Sequence, residues 1–103
     1  MSSDKQNINK ISKEIVSLAA SKATLAVPGV NQEKDIKLSK DKEGFVLDIF
    51  VVADFGVKIP QLAWDIQNSV KEAVKSTTHQ KVKAVNIHVQ GVMMPQEGSR
   101  INE

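Results

Sequence analysis

The stretch FVLDIFVVADFGVKIPQLAWDIQ, Phe45–Gln67, decides the fold. Its first part, Phe45–Val52, is almost entirely apolar and rich in β-branched and aromatic residues, which marks a central strand covered on both faces. Asp48 is the one exception, and strand alternation places it on the same face as Val46, Phe50 and Val52. Gly56 then permits a sharp backbone turn, and Pro60 stands where a helix accepts proline, in its first turn with φ already set. From there Ile59, Leu62, Ala63, Ile66, Val70, Ala73 and Val74 repeat at helical spacing. Trp64, Asp65, Gln67, Asn68, Lys71 and Glu72 fall largely off that stripe.

Upstream, DIKLS at Asp35–Ser39 alternates polar and apolar residues, and the charged turn KDKEG joins it to the apolar run as a β-hairpin. Before it, Ile8, Ile11, Ile15, Leu18, Ala19, Leu25 and Ala26 draw an apolar stripe along a first helix. Asn7 or Asn9 could cap that helix, and Val27–Gly29 ends it, because Pro28 disfavours helix at the residue before it. Downstream, Val85, Ile87 and Val89 alternate with Asn86, His88 and Gln90 as a last strand. The order is therefore α-β-β-α-β. A hairpin pairs the first two strands antiparallel, and a right-handed crossover through the second helix makes the second and third parallel. The expected fold class is α+β: a single two-layer domain over residues 8–94, with a three-stranded mixed sheet and two helices on one face. Residues 1–7 and 95–103 read as polar tails.

The 103-residue length accommodates one core, and 41% hydrophobic with 25% charged residues is ordinary for a globular domain. The formal net charge is +2, with lysines and acids interspersed, so no strong field toward nucleic acid is implied. Only one of the fourteen basic residues, Arg100, carries the guanidinium fork suited to phosphate and guanine. The absence of cysteine removes disulfides, thiol catalysis and thiolate metal sites together, and fits a reducing compartment. No apolar h-region follows the polar N-terminus and no window approaches a membrane span, so a chain that is neither exported by a signal peptide nor membrane-spanning is expected.

Asp54-Phe55-Gly56 spells the metal-binding triplet of protein kinases, but the chain has neither a glycine-rich loop nor a kinase's length. A phosphate cradle needs converging N–H groups, whereas this turn has one glycine and Pro60 removes an N–H. Asp54 reads as a turn or near-cap carboxylate accepting backbone N–H bonds, and Lys58 as a solvated turn lysine. His79 and His88 lack a third ligand, so no metal site is expected. No serine or threonine has a base and an oxyanion pocket that the sequence can supply, so no catalytic residue and no cofactor is expected. The α/β order is shared with KH-type RNA-binding domains, but GVKI, Gly56–Ile59, joins a strand to a helix and lacks the second glycine of the G-x-x-G loop.

Three segments, VPGV after the first helix, FGVKIPQLAWDIQNSVKEAV across the turn, and VNIHVQGV near the end, together resemble the alkaline shock protein family of Gram-positive bacteria. The resemblance covers about Ile8–Met94, and Gly56, Ile59, Pro60, Ala63, Ile66, Gln67 and Val70 carry most of it. Two positions depart from the pattern: Phe55 stands where the family often has Tyr, and Thr78-His79-Gln80 replaces the usual Thr-Gly, so the second helix must end without glycine. The resemblance implies a non-enzymatic cytoplasmic protein of envelope stress response and cell-envelope homeostasis. Such a protein self-associates as an interaction scaffold and can be held near the membrane by a small membrane-spanning partner. An RNA-binding module and a regulator docking on a metabolic enzyme are the alternatives. If both helices cover one sheet face, the other displays Val46, Phe50, Val52 and His88, an apolar strip bordered by Asp48 and Asn86 and the expected contact surface.

Overall fold

The apolar run quoted above becomes the middle strand of a three-stranded sheet. In the computed structural model, which describes residues 2–95 and the side chains of residues 12–95, the elements are α1 (Ser2–Ala26), β1 (Val30–Asp41), β2 (Gly44–Asp54), α2 (Ile59–Thr78) and β3 (Val82–Met93). The sheet order is β1-β2-β3, with β1 antiparallel and β3 parallel to β2. Order, pairing sense and layer arrangement are those the sequence implies.

Alternation along β2 divides the molecule. Phe45, Leu47, Ile49, Val51 and Ala53 are fully buried under the helices, while Val46, Asp48, Phe50 and Val52 between them are half-buried. The register sets Leu47 beside Val85, Ile49 beside Ile87 and Val51 beside Val89, so β3 contributes to the same core. From α2, Leu62, Ile66, Val70 and Val74 close that core. The expectation that β2 is covered on both faces is thus corrected: both helices lie on one side, and the other side of the strand is open. A run of apolar residues reports burial without saying which molecule supplies the cover.

Two boundaries also differ from the sequence reading. β1 extends over Val30–Asp41 rather than Asp35–Ser39, because strand pairing is made by backbone groups and tolerates the charged side chains of an edge. α1 begins at Ser2, so Asn7 and Asn9 lie inside the helix and do not cap it, and helix extends into the segment read as a polar tail. Residues 96–103 of the expected C-terminal tail lie outside the described residues.

α1 packs by an unexpected face. Val16, Ala19, Ala20, Thr24 and, just beyond the helix, Val27 are buried, whereas Ile15, Leu18 and Leu25 of the apolar stripe are 40%, 58% and 55% exposed. Small residues let the helix approach the sheet closely, and the hydroxyl of buried Thr24 donates to the Ala20 carbonyl at 2.7 Å, so it leaves no polar debt. Ser21 donates to Glu33 and ties α1 to β1.

A candidate interaction surface on the open sheet face

The turn motif resolves into separate mechanical tasks. Gly56 has φ +90° with open space around it, and Lys58 is the extended N-cap residue, making no side-chain cap bond. Pro60 falls in the first turn, where its missing N–H has no helical partner to lose. Ile59 and Ala63 are half-buried, and Ile66 is fully buried in the core. Gln67 reaches across to β3 and donates to the Val85 carbonyl at 3.1 Å, so one polar side chain fixes the helix against the edge strand. At the far end, His79 takes the left-handed C-cap conformation, φ 59°, that glycine commonly fills, and its N–H bonds the Lys75 carbonyl at 3.0 Å.

Asp54 serves a different purpose from the one expected. Its carboxylate accepts from the Asn31 side-chain amide at 3.0 Å, while its own N–H donates to the Gly29 carbonyl at 2.8 Å. It buckles the end of β2 to the start of β1 instead of capping α2. Gly56→Val is therefore expected to cost more than about 1 kcal/mol through backbone strain alone, and Asp54→Asn less than that, since the amide oxygen still accepts. Urea melts of both variants check this, and equal, negligible losses would remove the role assigned to the turn.

The open face is where polar chemistry gathers. Parallel register pairs Asp48 with Asn86 and Phe50 with His88, bringing the four side chains together. The imidazole Nε2 of His88 lies 2.9 Å from Asp48 Oδ1, and the Asn86 amide donates to the same oxygen at 3.2 Å. The His88 hydrogen bond, with help from Asn86 and the charge of Lys37, holds the Asp48 carboxyl below the usual carboxylate range. His88 stacks on Phe50 with centroids 4.5 Å apart and planes 13° from parallel, and the Lys37 ammonium of β1 lies 5.4 Å from the Phe50 centroid. Val46 and Val52 extend the apolar strip along β2 in both directions. All four sequence-assigned contact residues, Val46, Phe50, Val52 and His88, thus share one surface.

Parity along the strands placed Asp48 and His88 on this face, but the stack and the Lys37 contact depend on a register that residue alternation does not contain. No cluster of three potential metal ligands occurs among the described residues, and His79 lies at the end of α2, away from the His88 pair.

The same architecture occurs elsewhere. The MamM CTD spanning residues 215–293 of that protein superposes with a TM-score of 0.57 at 19% identity, covering 77% of this chain and 98% of that one, a likeness of fold alone. Among sequence relatives, Bacillus subtilis YqhY is 26% identical over 72 residues, 70% of this chain and 53% of the relative. Streptococcus pyogenes Spy1535 is 39% identical over 61 residues, 58% of this chain and 47% of the relative, so the chain spans about half the length of these two proteins. Bacillus subtilis YloU is 28% identical over 102 residues, 80% of this chain and 85% of the relative. A family model described by a cell envelope-related function matches residues 29–94, which include the sheet, the turn and α2. The chain therefore belongs to the alkaline shock protein 23 family, the family of that model.

Proposed function

We propose that this chain is a non-enzymatic scaffold of the cell envelope that self-associates through the open sheet face. The observation that carries the reading is the one-sided cover of the sheet. A central strand with Val46, Phe50 and Val52 half-exposed beside a satisfied His88–Asp48–Asn86 cluster has the apolar centre and polar border of a contact surface. A second copy supplies the same surface in reverse, setting Lys37 of each sheet against the Asp48 carboxylate of the other. Placement at the envelope is assigned to a small membrane-spanning partner, as the family resemblance implies.

The geometry argues against the nucleic-acid alternative. An aromatic platform for bases needs a free ring face. The Phe50 ring is already stacked on His88 at 4.5 Å and has the Lys37 ammonium 5.4 Å from its centroid, so it is not a free platform.

Phe50→Lys tests the reading. Wild type is expected to sediment as a species larger than one chain at high micromolar concentration. The variant is expected to sediment as a smaller one with an unchanged circular dichroism spectrum, since the side chain is only half-buried. Val46→Lys provides an independent version of the same change. A wild type that is monomeric at high micromolar concentration overturns the proposal.

A further inference from the structure

The residues α1 leaves outside form a pattern of their own. Ile15, Leu18, Lys22 and Leu25 follow the 3-4-3 spacing of a coiled-coil seam, and the sequence carries that spacing back through Ile11 to Ile8. The three apolar members described in the structure are 40–58% exposed, so the seam faces away from the protein's own core. Beside it runs a groove of about 380 Å³, lined by Ile15, Leu18, Ala19 and Lys22 and closed toward α2 by Ala73 and Thr77. Residues i, i+3, i+4 and i+7 are the four that make the hole for a knob from a facing helix.

Charge selects the occupant. Glu14 and Lys22 stand four residues on either side of Leu18. An antiparallel second copy of α1, related by a two-fold axis at Leu18, sets Glu14 of each helix level with Lys22 of the other and seats each Leu18 against the other's groove. A parallel copy would bring Lys22 against Lys22 and Glu14 against Glu14. We infer that α1 is a second self-association surface, distinct from the open sheet face, whose partner is α1 of another copy packed antiparallel about Leu18.

The absence of cysteine makes the test direct. Leu18→Cys and Leu25→Cys are each made in the Phe50→Lys background, so that contact through the sheet face is weakened and a failure of either surface can be told from failure of the other. Trp64→Cys, at a site as exposed as Leu18, measures random collision. Under mild oxidation the Leu18→Cys protein is expected to form disulfide dimers at least fivefold faster than the Trp64→Cys protein. The Leu25→Cys protein is expected to match the collision control, because the antiparallel arrangement holds its thiols roughly 20 Å apart along the axis at 1.5 Å per residue. Adding Lys22→Glu should slow the Leu18→Cys reaction, and adding Glu14→Lys to that variant should restore it. Equal acceleration at both seam positions would mean a parallel pair, and no acceleration at Leu18 would mean that another protein, or none, covers the seam; either result overturns the inference.

Discussion

Gly44→Ala is expected to destabilise the protein by about 3 kcal/mol, from strain together with a lost or distorted hydrogen bond. Gly44 has φ +131°, a conformation that L side chains rarely adopt, and a β-carbon built there meets the Lys81 carbonyl oxygen at 2.6 Å. That oxygen belongs to backbone and cannot rotate aside. It also accepts the Phe45 N–H at 2.9 Å where β2 meets the chain entering β3, so relieving the clash means loosening the start of the parallel pairing. Gly56 has a positive φ without any such neighbour, which is why its replacement is expected to cost less. Urea denaturation with an unchanged m-value measures the difference. A loss below about 1 kcal/mol would show that the hairpin adjusts and that Gly44 is not required for the approach.

Ile49→Ala is expected to cost about 3–4 kcal/mol, within the range for truncating a fully buried isoleucine. Ile49 has no exposed surface, pairs with Ile36 on β1 and Ile87 on β3, and sits in the core that both helices close. Its neighbours are anchored in three strands and cannot all move inward, so most of the cavity persists. Ile49→Val removes one methylene and should cost about 1 kcal/mol. Thermal melts of the pair check the ratio: an alanine variant no worse than the valine variant would place Ile49 at the margin of the core.

The middle strand and α2 were legible because their side chains carry the information: an unbroken apolar run in Phe45–Val52, and a stripe whose members Leu62, Ile66, Val70 and Val74 are the buried ones. α1 was legible as a helix but not in its orientation. Its large apolar residues, Ile15, Leu18 and Leu25, face outward while alanines and Val16 face the sheet, so hydrophobicity alone points to the wrong side. Close packing of small residues answers to the shape of the opposing surface, which one helix's sequence does not describe. The length of β1 was hidden for a related reason, since an edge strand of charged residues is held by its neighbour's backbone. On the open face, alternation supplied the set Val46, Asp48, Phe50 and His88, and three-dimensional register supplied what they do to one another. The C-cap at His79 was foreshadowed only as a missing glycine.

The two outer strands have a consequence for how crowded copies of this protein behave. A sheet of three strands has exposed rims, and a straight rim invites a neighbour's backbone to add on and template further growth. Here both rims are uneven. Pairing of β1 with β2 slips between Val30 and Gln32 and again between Glu33 and Asp35, and the pairing of β3 with β2 slips near Lys83 and Gln90. β1 also carries charge of both signs along its length, from Glu33, Lys34, Asp35, Lys37, Lys40 and Asp41. Uneven, charged rims disfavour amyloid-like stacking, so copies of this protein can meet at high concentration without templating one another's sheets.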